Sequence, residues 1–252
     1  MLGVLGVGAL IFAANLVGGS HGGVLYYVGL GRNWTWLLTL ALLALMLAMI
    51  GFSIKGRWDG IFIGPRNKIS LSRFQLVIWT VVIGGALLTA GLSNVSVGSD
   101  KPLEIDIPKE LWALLGLGGF TFVASPAILT QKERGGDMNV RLDQINKNLQ
   151  AKDQMTMAIT AIGPVVQKGS TDDARWLDMF RGDEADADLI DFSKVQQFLF
   201  TTLLVVIYAA ALASHFAGLE VLAGFPAIDK GFLALLGISH AAYLGYKISP
   251  KN

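Results

Sequence analysis

Ser72-Arg73-Phe74-Gln75, with Trp79-Thr80 just beyond, opens a long apolar run and returns as Ser193-Lys194-Val195-Gln196 with Phe200-Thr201, at an offset of 193 − 72 = 121. The next apolar run keeps that register: Lys109 and Ala113-Leu114-Leu115-Gly116 answer to Lys230 and Ala234-Leu235-Leu236-Gly237. An offset held through two runs and the loop between them marks a duplicated two-helix unit. Each run is of membrane-crossing length, so the repeat decides the fold class: an all-α, polytopic membrane bundle with an internal parallel two-helix repeat.

The rest of the chain agrees. Of 252 residues, 53% are hydrophobic and 15% charged, outside the balance of water-soluble domains. A net charge of +1 provides no basic field for nucleic acid. The absence of cysteine removes disulfides, thiolate metal sites and cysteine nucleophiles.

Apolar runs of about 17–25 residues fall near 1–18, 34–54, 74–94, 110–130, 194–216 and 231–247, which gives six expected spans. The first lacks a preceding basic residue and a small-x-small cleavage site, so it reads as a span and not as a secretory signal. Orientation follows from Lys and Arg near the span ends. Residues 55–73 carry Lys55, Arg57, Arg66, Lys68 and Arg73, against Arg32, Lys101, Lys109 and Lys230 on the other side. Both termini are therefore expected in the cytoplasm, with the protein in the inner membrane. The chain divides into an N-terminal hairpin (1–56), the first repeat with its lead-in (57–130), a connector (131–192) and the second repeat (193–252).

The connector is the one sizeable polar piece. Val140, Leu142, Ile145 and Leu149 recur at nearly helical spacing, which predicts an amphipathic helix over roughly 138–153. Gly163-Pro164 stops any helix reaching it. Residues 175–182 read as a short amphipathic element with its aromatics at headgroup level. Leu103, Glu104, Ile105, Asp106 and Ile107 alternate and predict a short extended segment.

Ser72 with Gln75, and Ser193 with Gln196, have the spacing of a capping box, in which the serine accepts from the N3 amide and the glutamine reaches back. Helix capping is the expected role of all four; a ligand role for Gln75 or Gln196 is the alternative. Arg73 and Lys194 are placed to snorkel to headgroups. Thr80 and Thr201 are candidates for packing or for lining a polar pathway. His240 falls near the middle of the last run, beside Ser239 and one turn from Tyr243. An ionisable group at that depth is costly and commonly functional. It reads either as a neutral brace or as part of a proton or ion pathway. Its repeat mate is Gly119, so such a pathway would be asymmetric within one chain. Small residues, among them Gly84-Gly85-Ala86, Gly116, Gly118 and Gly119, are expected to glue helices within the protomer or between protomers.

His21 and His215 are too scattered to hold a metal. Asp100, Glu104, Asp106, Glu220 and Asp229 read as an ordinary solvated loop diluted by lysines; the alternative is a negative ring around a pore formed by several protomers, which would favour cations. No phosphate-cradling glycine loop, metalloprotease motif or hydrolase elbow is present, so the sequence offers no catalytic centre and no cofactor motif.

Ser70 through Gln75 with Trp79-Thr80, Trp176 through Glu184, Ser193-Lys194-Val195-Gln196, Phe225-Pro226 and Leu235-Leu236-Gly237-Ile238-Ser239-His240-Ala241 with Tyr243-Leu244 together carry a resemblance. Over roughly 57–250 the chain resembles a family of uncharacterised bacterial multi-spanning membrane proteins, and this implies no activity. Three functions remain as expectations: a homo-oligomeric pore or channel, an accessory subunit of a larger membrane complex, and a secondary transporter. The last is weakest, because transporters show broken helices or midplane charges. The partners implied are the lipid bilayer and either further copies or another membrane subunit.

Overall fold

A computed structural model of the chain describes residues 32–135, 142–153, 158–217 and 221–249, with Gly6 and Leu10 besides. Apart from those two residues, the run at 1–18 lies outside the description, as do His21, Val140 and Glu220. Six α-helices occur among the described residues: α1 (Arg32–Lys55), α2 (Leu71–Ser96), α3 (Lys109–Lys132), α4 (Leu142–Asp153), α5 (Phe192–His215) and α6 (Lys230–Ile248). Four of them, α1, α2, α3 and α5, are long and apolar enough to cross a membrane. At 1.5 Å per residue, 24 residues reach roughly 36 Å, more than the hydrocarbon core of about 30 Å. The shorter α6, with Ser239, His240 and Lys247 along its 19 residues, is not among the four.

Helix starts preserve the offset of the repeat. α5 begins at 192 and α2 at 71, while α6 begins at 230 and α3 at 109; 192 − 71 and 230 − 109 are both 121.

The packing forms two compact units whose boundaries fall inside α2, α3, α5 and α6, at 76/77, 115/116, 201/202 and 233/234, whereas the sequence divides near 56, 130 and 192. The first unit holds α1 and residues 77–115 and 202–233. Trp36 meets Phe216 edge-on with ring centres 5.4 Å apart, and Trp79 lies 6.2 Å from Tyr208. α1 lies tight on α2 at Gly85, where a Cβ would fall 2.5 Å from Leu40 Cδ2. That is the expected small-residue glue. Gly84, Gly116, Gly118, Gly119 and Gly237 behave otherwise, since no described atom lies within 4 Å of where their Cβ would stand. The segment expected to be extended over 103–107 starts as a turn, with Glu104 N donating to Lys101 O and Ile105 N to Leu103 O; Asp106 then donates its amide to Ala223 O and accepts from Phe225 N, forming a parallel bridge with Gly224. Asn94 ties the same loops, donating to Leu222 O (2.9 Å) and Pro102 O (3.2 Å) while accepting from Leu222 N (2.8 Å).

The second unit holds residues 62–76, 116–201 and 234–252. Here the connector is more ordered than its polarity foretells. The apolar stripe of α4, Ile145 and Leu149, packs against Ile159, Val166 and Ala187. Gly163-Pro164 ends no helix, since residues 158–162 before it are not helical; it turns a hairpin of β1 (Thr160–Ile162) and β2 (Val165–Gln167), with Ala161 opposite Val166. Gly163 takes φ +55°, and a Cβ there would fall 2.8 Å from Glu133 O, so only glycine fits that turn. The element over 175–182 is a short 3-10 helix, Trp176–Phe180, which buries Met179 with Ile63, Ile69, Leu71 and Ala174. Trp176 packs against Phe62 and Phe74 and keeps 46% of its surface exposed.

The helix caps repeat, but two residues earlier than the sequence pattern implies. Ser70 O accepts the first intrahelical bond of α2 from Phe74 N, which makes Ser70 the N-cap. Its repeat mate Asp191 caps α5: Asp191 O accepts from Val195 N, and Asp191 Oδ1 accepts from Ser193 N and Lys194 N. Ser72 and Ser193 therefore already stand inside their helices. An aspartate carboxylate outcompetes a serine hydroxyl for the exposed amides because its bonds are charge-assisted.

Candidate functional site

Gln75, released from capping, turns into the second unit and joins a knot of buried polar side chains. Gln75 Nε2 donates to Thr201 Oγ1 at 2.6 Å and to Gln197 O at 3.4 Å, while Gln75 Oε1 accepts from Gln197 Nε2 at 3.0 Å. Gln197 Nε2 also reaches His240 Nδ1 at 3.0 Å, and Thr121 Oγ1 lies 2.6 Å from the same nitrogen. All five side chains are almost wholly buried, and they come from α2, α5, α6 and α3. One turn further along, Ser125 Oγ and Tyr243 Oη share a bond of 2.8 Å. Ser239 Oγ and Gln197 Oε1 are buried with no hydrogen-bond partner among the described residues.

The expected site residues thus separate. His240, Tyr243 and Thr201 converge in the second unit, and Ser239 is buried beside His240. Thr80, the repeat mate of Thr201, is exposed. Gln196 is exposed as well; its neighbour Gln197, 0% exposed, carries the contact. The sequence pattern singled out Gln196 and passed over Gln197; the rotation of α5 turns Gln197 inward instead. Of the scattered histidines that the structure describes, His215 contacts Gly224 O at 2.7 Å in the first unit.

Beside the Ser125–Tyr243 pair opens a cavity of about 240 Å³, lined by the lead-in to α2, the middle of α3, the connector, Lys194 and Lys247. Its charges are unequal. Asp183 accepts from Lys247 at 2.5 Å, from Lys194 at 3.0 Å and from Lys68 at 3.4 Å. Lys194 does not snorkel outward, as its place in the repeat suggested; it is 3% exposed and donates to Arg181 O as well. Lys68 donates to Gly182 O at 2.8 Å. Burial alone would push the Asp183 carboxyl up, but Lys194, Lys247 and Lys68 together hold it well below the usual carboxylate range. Burial pushes the Lys68 ammonium down; Asp183 works against this, and the like charges of Lys194 and Lys247 add to it.

Around this centre other acids are already committed. Arg66 pairs with Glu133 at 2.6 Å, Lys132 with Glu184 at 2.6 Å, and Lys168 with Asp178 at 2.8 Å in near-complete burial. Lys132–Glu184 fastens the end of α3 to the connector, Arg66–Glu133 fastens the lead-in of α2 to the residue after α3, and Lys168–Asp178 lies within the connector itself. Arg73 lies over the Phe122 ring, 5.5 Å from its centroid, and has no carboxylate partner among the described residues. Pro126, within α3, lines the same cavity and lacks the amide that would bond back to Phe122 O.

Four membrane-length apolar helices make this an all-α membrane protein. No family model, no curated protein and no solved structure matches the chain.

Proposed function

We propose that the protein is a non-enzymatic, homo-oligomeric channel of the bacterial inner membrane, with both termini in the cytoplasm, in which the knot at His240 closes a path entered from the cationic cavity. The observation that carries this reading is a continuous chain of buried polar side chains drawn from four helices. Ion paths in membranes are marked by such groups. Atoms 2.6–3.0 Å apart leave no room for an ion, which supports reading the knot as a closed gate. The excess of lysine and arginine at the cavity favours anions. Open Cβ positions at Gly116, Gly119 and Gly237, none of them buried, leave helix faces free for close contact with further copies.

The purified protein in a planar bilayer is expected to conduct, and His240→Ala or Gln197→Leu, which loosen the knot, to raise the open fraction. Silence of the wild type and both variants under every voltage, tension and pH would sink the proposal. A second reading, an accessory subunit of a larger complex, is favoured by an apolar cleft of about 510 Å³ lined by Leu177, Leu189, Ile190 and Phe198. Isolation from native membrane as one homogeneous species without another chain argues against it.

A further inference from the structure

We propose that the cavity beside Asp183 is a binding site for a phosphate-class oxyanion, taken either from a phospholipid headgroup or from solution. Three ammonium groups, those of Lys68, Lys194 and Lys247, share the Asp183 carboxylate, an excess of 3 − 1 = 2 positive charges; Asp178 and Arg66, which also line the cavity, are paired with Lys168 and Glu133, and Arg73 adds a third positive charge without an acidic partner among the described residues. Lys68, Lys194 and Lys247 are each at least nine-tenths buried. Uncompensated charge so far from water is costly, and an anion in the cavity offsets it.

The shape narrows the ligand. A volume of about 240 Å³ lies below the roughly 300–1,000 Å³ typical of sites for drug-sized molecules, which suits a headgroup phosphate and excludes a nucleotide. The planar guanidinium of Arg73 matches a phosphate face, and the buried Ser72 hydroxyl stands in the first turn of α2, where free amides also favour an anion. Phe122, Val123 and Leu129 of α3 give the cavity an apolar part of its lining, so a headgroup can enter with the base of its acyl chains against α3. The site rests on charge imbalance and requires no conductance; it stands or falls apart from the channel reading.

The test uses the full chain, with Arg73→Gln as the site variant and Lys101→Gln, a solvent-exposed lysine of the first unit, as the control. In lipid-free detergent, inorganic phosphate is titrated and the thermal midpoint followed. In nanodiscs of phosphatidylcholine with and without phosphatidylglycerol, the midpoint and the lipid retained in native mass spectrometry are followed. A midpoint rising with phosphate supports a soluble source, and one rising only with phosphatidylglycerol supports a lipid source. In either arm Arg73→Gln is expected to weaken binding about tenfold, equivalent to roughly 1.4 kcal/mol, while Lys101→Gln matches wild type. Lys68→Gln gives a second reading of the same loss should Arg73→Gln fold poorly. If neither phosphate nor phosphatidylglycerol acts on the wild type, or if the site variants respond as it does, the proposal is overturned.

Discussion

Asp183→Asn keeps the shape of a side chain that three lysines share and removes its charge. Asp183 is 16% exposed and its lysine partners 4–10%, so water screens the cluster poorly. Removing one member of such a buried pair costs roughly 3–5 kcal/mol, because the remaining charge is left uncompensated. At about 2–4 °C per kcal/mol for a chain of this size, the lower figure corresponds to a fall in thermal midpoint of roughly 6–12 °C. The measurement is a thermal ramp of the full chain in mild detergent, wild type beside variant, across pH. Because the folded carboxyl is held well below its ordinary value, its stabilisation is present above the unfolded value near 3.9 and is lost only as pH falls through the folded one. The gap between the two proteins is therefore expected to be flat from about pH 7 to pH 5 and to close below about pH 4. A fall of less than about 2 °C at pH 7, or a gap that closes above pH 5, would refute Asp183 as the counter-charge of the cluster.

At Lys68 the charged form is the disfavoured one: its folded value is lowered, so between that value and the unfolded value of about 10.4 the unfolded chain binds more protons, and wild-type stability rises with pH relative to Lys68→Met through that window. A gap that shrinks on alkalinisation contradicts this. For α5, Asp191→Ala is expected to cost about 1 kcal/mol by loss of the cap, and Ser193→Ala less than about 0.5 kcal/mol; denaturant titration reads both, and the reverse order would return the cap to Ser193.

The repeat, the four long helices and the amphipathic stripe of α4 were legible because each is a local property. Apolar length sets a span, a period near 3.6 sets a stripe, and an offset copied from 71 to 192 and from 109 to 230 needs no partner to be seen. Capping was half legible. The pattern Ser-x-x-Gln pointed at the right turn of chain, but Ser70 and Asp191 stood two residues upstream with equal chemical claim, and Gln75 was drawn inward by partners the pattern does not contain.

Those partners mark the boundary between the two kinds of information. Gln75 meets Gln197 across 122 residues, and Lys68 meets Asp183 across 115. By itself the sequence determined where helices run and which residues are too polar to face lipid. Only tertiary structure decided which polar groups meet, that Gln197 and not Gln196 points inward, and that three lysines converge on one carboxylate. The physical reason is range: hydropathy and helical periodicity act within a few turns, whereas a buried hydrogen bond or ion pair is fixed by helix rotation and packing, which settle together when distant segments close on one another.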